Sequence, residues 1–245
     1  MRTDTVLWAR RILMVIIVLA IILGGAAAWG TARQSADLDS FLAGFKTDRS
    51  QDASSNGPLA FLPRLVESLL ASTRPHIGIV AGHSGHDSGA VCPDGLTEAE
   101  VNKTIAKAVV KTLEERGVRV DLLEEFDPRL QGYQADAFVS IHADSCQVTL
   151  TGFKVASLEG GSEASVRLTE CLWNEYEKAT GLPRHPNTIT YDMSRYHAFR
   201  EIAASTPAAI IETGFLRADR ELLTKGSDRV AAGIVAGIEC FLAEK

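Results

Sequence analysis

Short apolar segments alternate with longer amphipathic segments along residues 75–245, and this alternation constrains the fold more than any other feature of the chain. Ile77–Ala81 is typical of a strand that is buried on both faces. Apolar side chains recur at helical spacing between Glu98 and Arg116, and Gly117 follows as a typical helix end. Further strands are predicted at Val118–Leu123, Ala137–Ile141, Gly152–Leu158 and Pro207–Glu212, and further helices at Ser162–Thr180 and Asp228–Leu242.

Strands that alternate with helices of this length indicate an α/β domain. We predict three layers, in which a mostly parallel twisted sheet has helices on both faces. Ligands of such sheets bind at the carboxyl ends of the strands. His83, His142 and Glu212 each lie at the end of a predicted strand, so we expect them to meet at that edge.

The N-terminal residues predict a membrane helix. Arg10 and Arg11 precede the uncharged segment Ile12–Trp29, which as a helix would be about 27 Å long, close to the roughly 30 Å of a hydrocarbon core. Positive charge on this side keeps the N terminus in the cytoplasm. The alternative is secretion after signal-peptide cleavage, because Ile12–Leu23 has the length of an h-region and Ala26–Ala28 offers a small-residue cleavage site.

The continuation of the apolar run to Trp29 favours an uncleaved, single-pass anchor, and either reading places the rest of the chain outside the cytoplasmic membrane. The polar stretch Thr47–Pro58 has no apolar period and is typical of a spacer. We therefore expect an anchor or signal peptide at residues 1–30, a linker with short helices at 31–74, and a globular domain at 75–245. Nucleic acid is not an expected partner, because the net charge is −6 and no block of Lys or Arg is present.

Two histidines and a carboxylate predict a metal site. His83 and His142 each follow a strand, and Glu98 lies in the first turn of a helix. Hydrolytic zinc sites use three such ligands and keep one position open for water. Glu100 is the alternative carboxylate. Taken singly, each residue has a plainer explanation, as a loop histidine or as an acid that complements a helix dipole.

Four motifs occur in order along the chain: GHSGHDSGA at 82–90, GLTEAEVN at 95–102, SIHAD at 140–144 and AAIIETGFL at 208–216. In this order they resemble the zinc-dependent N-acetylmuramoyl-L-alanine amidases of the Amidase_3 type. That family cuts the amide bond between the lactyl group of muramic acid and L-alanine in bacterial peptidoglycan. The resemblance implies Zn²⁺ as cofactor, with His83, Glu98 and His142 as its ligands. It favours Glu98 over Glu100, because the family phrase E-x-x-V-N starts at Glu98.

The resemblance also implies that Glu212 is the catalytic acid/base, which takes a proton from the attacking water and hands it to the leaving amine. A carboxylate at the end of a buried strand is unfavourable unless it is paired, ligated or catalytic. The alternative for Glu212 is a salt bridge to Arg217 or Arg220. Asp87 is a candidate to hold a ligand imidazole, and His86 is expected to be exposed.

Departures from the family pattern affect the expected muropeptide contacts and leave the metal ligands intact. Leu123–Glu125 stands where the family commonly has Thr-Arg, and Asp144 replaces the usual asparagine after SIHA. His197 is a candidate to hydrogen-bond an oxyanion, although packing is the simpler interpretation. Two alternative functions stay open: a zinc carboxypeptidase that shortens stem peptides, and a non-catalytic protein that binds or regulates peptidoglycan. The intact ligand set and Glu212 argue against the second.

The four cysteines are an even number in a chain expected to be exported, where disulfides form. Cys92 lies in the loop that joins the first two expected ligands, and Cys146 follows His142 closely. A shared metal would make these segments neighbours, so we predict a Cys92–Cys146 disulfide. Cys171 and Cys240 fall on predicted helices and are expected as buried small apolar residues.

Overall fold

The computed structural model describes residues 74–146 and 149–244. The predicted membrane helix and linker, at residues 1–30 and 31–74, therefore lie outside the described residues apart from Arg74. None of the helices within the described ranges combines the length and the apolarity that a membrane span requires.

Five strands form one sheet, and its architecture confirms the predicted α/β class. The spatial order is β2-β1-β3-β5-β4, in which the first four strands are parallel and β4 runs antiparallel to β5. The predicted strand at Gly152–Leu158 is shorter in the structure, and the last strand extends beyond Glu212. The strands are β1 (His76–Ala81), β2 (Arg119–Leu123), β3 (Ala137–Asp144), β4 (Lys154–Ala156) and β5 (Ala208–Phe215).

The three long helices begin and end close to their predicted residues. Thr97 and Glu100 form a capping box at the start of the first helix, and Gly117 with φ +80° follows its end. Three helices of four to six residues were not predicted, because segments so short show no helical period. The helices are α1 (Glu98–Glu115), α2 (Glu163–Thr180), α3 (Tyr191–Ser194), α4 (Ala198–Glu201), α5 (Arg220–Lys225) and α6 (Ser227–Ala243).

Side chains of the strands alternate between two apolar layers. Ile79 and Val139 pack with α1, α2 and α6 on one face. Val80 and Phe138 pack on the other face against the segment that contains α3 and α4, including Phe199. Helices therefore cover both faces. His142 and Glu212 follow the same alternation as Phe138, so their side chains lie on the face of α3 and α4.

Both cysteine pairs form disulfides. Cys92–Cys146 is present as predicted, and it joins the loop before α1 to the end of β3. The expectation for the other two cysteines was wrong, because Cys171 and Cys240 are bridged between α2 and α6. Gly237 lets α6 approach Leu172 of α2 closely, and the two cysteine Cα atoms are consequently 5.8 Å apart, within disulfide range. The sequence does not reveal this helix pairing.

Candidate metal centre

His83 follows β1 in a tightly constrained turn. The backbone of His83 is left-handed, with φ 64°, a conformation that is unfavourable for a residue with a side chain and that persists only where its surroundings enforce it. One enforcing contact is the hydrogen bond that its N–H donates to Glu125 Oε2 at 2.7 Å. The preceding residue must be glycine, because a Cβ on Gly82 would lie 2.4 Å from the imidazole of His142.

Three side-chain atoms converge at this point. Glu98 Oε1 is 3.2 Å from His83 Nε2 and 3.2 Å from His142 Nδ1, and the three residues offer ligand atoms that all lie within 4.8 Å of one another. Tetrahedral zinc with bonds of about 2.0–2.2 Å needs ligand atoms about 3.3–3.5 Å apart. The donor set therefore fits zinc in chemistry, and the two separations from Glu98 Oε1 are close to this spacing. Glu100 does not join it, because its carboxylate accepts from the Thr97 N–H at the helix start.

A carboxylate faces the outer nitrogen of each imidazole. His83 Nδ1 is 2.6 Å from Asp87 Oδ1, as the sequence indicated for Asp87. His142 Nε2 is 3.4 Å from Glu125 Oε2. Such partners fix the ring orientation and keep the proton on the outer nitrogen, which leaves the inner lone pair for a cation. From this pattern we assign the single proton that each ring would keep beside a bound cation to Nδ1 of His83 and to Nε2 of His142.

Glu98 is fixed by several donors. Its Oε2 accepts from the Ala90 N–H at 3.0 Å, and its Oε1 accepts from Asn102 Nδ2 at 3.2 Å and from the Ala143 N–H at 3.3 Å. Asn102 also donates to the carbonyl of Gly82, so it ties α1 to the turn before His83. Asn102 was not singled out from the sequence, although it lies one helical turn after Glu98.

The charges of the centre favour a cation. Burial opposes ionisation of Glu98 and Glu125, but His142 and His83 beside Glu98, and His142 and His197 beside Glu125, outweigh burial and hold the pKa of both carboxyl groups well below the usual range. Burial lowers the pKa of His142, yet Glu125 and Glu98 raise it to about 10 in the metal-free protein. The hydrogen bond to Glu98 also raises the pKa of His83. Carboxylates that stabilise protonated imidazoles attract a metal cation by the same charge.

Glu212 lies beside the converging atoms. In the sheet it is the direct neighbour of His142 on β3 and of Lys154 on β4. Its Oε2 is shielded from solvent and makes no hydrogen bond within the described part of the chain. Burial, together with the charges of Glu98 and Asp144, outweighs the opposing effect of His142 and Lys154 and raises the pKa of Glu212 to about 7. A carboxyl group with this pKa both accepts and donates a proton at neutral pH.

The salt bridge from Glu212 to Arg217 or Arg220, the alternative considered from the sequence, does not form among the described residues. Arg220 pairs with Asp94, and Arg217 is exposed on the surface. Glu212 is thus placed beside the candidate metal ligands without an arginine partner from either of these residues.

His197 and His86 lie around the centre and outside the converging set. His197 Nε2 is 3.0 Å from Glu125 Oε1, and its Nδ1 is 2.9 Å from Glu201, so both ring nitrogens face carboxylates. His86 is exposed, as predicted, and its ring contacts Phe126. Glu125, which links His197 to the candidate metal ligands, was not predicted from the sequence, where only its departure from the family pattern was apparent.

Comparisons with known proteins identify the family of the chain. The family model for Amidase_3, described as N-acetylmuramoyl-L-alanine amidase, matches residues 77–240. The N-acetylmuramoyl-L-alanine amidase AmiC of Neisseria meningitidis serogroup B is 30% identical over 144 residues, which cover 52% of this chain and 35% of that protein. The chain thus spans about a third of the length of this relative.

Two solved structures share the fold. The catalytic domain of CwlV, an amidase of Bacillus (Paenibacillus) polymyxa, is 28% identical with a TM-score of 0.55, covering 70% of this chain and 99% of that chain. An N-acetylmuramoyl-L-alanine amidase of Clostridium difficile 630 is 22% identical with a TM-score of 0.59, covering 70% and 98%, and shows likeness of fold. The family match spans most of the chain and includes all four residues of the centre, and the chain belongs to the Amidase_3 family of N-acetylmuramoyl-L-alanine amidases.

Proposed function

We propose that this chain is a zinc-dependent enzyme that hydrolyses the amide bond between N-acetylmuramic acid and L-alanine in bacterial peptidoglycan. The observation that carries the proposal is the convergence of His83 Nε2, His142 Nδ1 and Glu98 Oε1 beside Glu212, whose Oε2 is shielded from solvent. Family membership supplies the substrate class.

His83, Glu98 and His142 would hold the metal. When bound, zinc polarises the scissile carbonyl and lowers the pKa of water to about 7. Asp87 and Glu125 keep the imidazoles oriented with their inner nitrogens towards the site that the ion would occupy. The pocket thus supplies a fixed set of donors, and little rearrangement is needed when the ion binds.

Glu212 moves the proton in this proposal. Its Oε2 accepts a proton from the attacking water, whose oxygen bonds to the lactyl carbonyl carbon. As the C–N bond breaks, the same oxygen returns the proton to the nitrogen of L-alanine, which leaves as an amine. A pKa near 7 suits both transfers, and a cation beside Glu212 shifts that pKa downward.

Digestion of purified peptidoglycan by the full chain tests the proposed reaction. We expect soluble stem peptides that begin with a free L-alanine amine, identified by mass spectrometry. Shortened stems that stay attached to glycan would instead indicate a carboxypeptidase. Binding without released peptide would indicate a non-catalytic protein, and either result contradicts the proposal.

We also propose that the domain works outside the cytoplasmic membrane, attached through the helix expected at residues 1–30. The two disulfides support this location, because such bonds persist in oxidising compartments. Membrane fractionation and N-terminal sequencing of the expressed full-length chain are the test. A soluble product that starts near Trp29 or Arg33 would show secretion after signal-peptide cleavage.

A further inference from the structure

Glu125 is a buried carboxylate with contacts on both of its oxygens. It lies just after β2 and is 5% exposed. Its Oε2 accepts the backbone N–H of His83 at 2.7 Å and is 3.4 Å from Nε2 of His142. Its Oε1 accepts the hydroxyl of Tyr196 at 2.9 Å and is 3.0 Å from Nε2 of His197. One side chain therefore contacts the segments that carry both histidines of the metal centre.

The side chains around Glu125 hold its carboxylate in place. Glu201 is hydrogen-bonded to the second nitrogen of His197, and the ring of Phe126 stacks on His197 with centroids 4.2 Å apart. Tyr196, in turn, accepts a hydrogen bond from Ser140 of β3. Because Glu125 is buried and bonded in this way, its oxygens have a fixed direction towards the centre.

Each of the two contacts made by Oε2 constrains one histidine. At His142, Nε2 is buried and makes no hydrogen bond within the described residues, and the Glu125 carboxylate lies 3.4 Å from it. The negative charge there favours a proton on Nε2, which leaves Nδ1, the atom that faces Glu98, for a cation. At His83, the bond to the backbone N–H supports the left-handed conformation that turns the imidazole inward. Asp87 contacts the imidazole of His83 alone, so its role differs from that of Glu125.

We propose that Glu125 is a positioning residue of the metal centre, which sets the tautomer of His142 and the backbone of His83 so that both present a lone pair to the same cation. The proposal rests on the proposed function in taking zinc as that cation. Glu125 does not act as a ligand, because it is not among the residues whose donor atoms converge.

Glu125→Gln tests the proposal, because it keeps the shape of the side chain and removes the charge. We expect the zinc Kd of the purified full chain, measured by competition with a chelating dye, to rise about 10–100-fold. The visible absorption spectrum of the cobalt-loaded protein should also change, since that spectrum reports the geometry around the ion. Glu124→Gln is the matched control: Glu124 is the exposed neighbour, and its variant should bind both metals like the wild type.

A purely structural role for Glu125 predicts a different pattern. In that case the Glu125→Gln protein would unfold at a lower temperature but keep the wild-type zinc Kd and cobalt spectrum, and the proposal would be wrong. If wild-type protein does not bind zinc, the proposed function fails first, so the two failures are distinguishable.

Nitrogen NMR of the wild-type protein covers the case in which Glu125→Gln does not fold. Histidine ¹⁵N shifts of the zinc-loaded full chain separate protonated, unprotonated and metal-bound nitrogens. We expect the proton of His142 on Nε2 and the metal on Nδ1. The opposite assignment, with the metal on Nε2, would overturn the proposal without any variant.

Discussion

Gly82→Ala should remove the metal without unfolding the domain. The added Cβ would lie 2.4 Å from Cε1 and Nε2 of His142, and ordinary van der Waals contact begins at 3.4 Å, so the ring must move by about 1 Å. His142 lies fixed between Glu98 and Glu125, and a shift of this size takes Nδ1 away from the point where the other ligand atoms meet. Because zinc bonds are only about 2.0–2.2 Å long, we expect zinc affinity to fall about 100-fold or more, at the upper end of what is lost when an orienting partner is removed.

Gly237→Ala is the matched control for the Gly82 variant. Its Cβ would lie 2.8 Å from Leu172 in the packing between α6 and α2, so it creates similar crowding on the other face of the sheet. Overpacking of this kind costs about 1–3 kcal/mol, which urea unfolding of the metal-free proteins measures for both variants. Dye competition then gives the zinc Kd. If Gly82→Ala binds zinc as tightly as Gly237→Ala does, the argument from the position of the His142 ring is refuted.

Three further predictions concern the acid/base, the first disulfide and proton competition. Glu212→Gln should retain zinc, measured by elemental analysis, while its rate of peptidoglycan cleavage should fall about 10²–10⁴-fold. His83→Ala should instead lose the metal itself. Cleavage by Glu212→Gln at a near-wild-type rate would exclude Glu212 as the acid/base. Replacing Cys92 and Cys146 together by alanine should lower the free energy of unfolding by about 2–4 kcal/mol in denaturant titrations, and an unchanged midpoint would contradict this. The pKa of His142 is raised from 6.5 to about 10 in the metal-free protein, so protonation of His142 stabilises the folded state. This contribution to the free energy of unfolding is complete below pH 6.5 and disappears as the pH rises towards 10. Zinc must displace the same proton, so its affinity should rise over that range; a pH-independent zinc Kd would show that His142 is not protonated without metal.

The sequence predicts those parts of the fold that depend on local periodicity. The strand at Ile77–Ala81 was predicted from a continuous apolar run, and the helix that starts at Glu98 from apolar residues at helical spacing. Both patterns are visible within a few neighbouring residues. The antiparallel direction of β4 and the pairing of Cys171 with Cys240 depend on which elements are neighbours in space. No local pattern encodes those contacts, and a helical cysteine has the same appearance in sequence whether it is bridged or simply buried.

The candidate site shows the same division between local and spatial information. His83, His142 and Glu212 were predicted because each follows a strand, at the edge where side chains of a parallel sheet converge, and Glu98 because it lies at a helix start. The resemblance to the family motifs supported all four. Their roles remain proposals, but the structure does bring them together. Glu125 also follows a strand, yet nothing in its sequence neighbourhood distinguishes it from exposed Glu124. The difference arises only when β2 lies beside β1 and the turn after β2 contacts the turn after β1.

The order of the strands explains why Glu212, the candidate acid/base, lies close to the site where His83, Glu98 and His142 would hold a cation. β3 lies between β1 and β5, so the strand that carries His142 separates the turn of His83 from Glu212. The register of β3 and β5 places His142 directly beside Glu212, and their shared face is buried enough to raise the pKa of Glu212 to about 7. A one-residue slip of β5 would turn Glu212 to the opposite apolar face. Position along β5, and not the presence of a glutamate alone, therefore decides whether the carboxyl group can exchange protons at the metal centre.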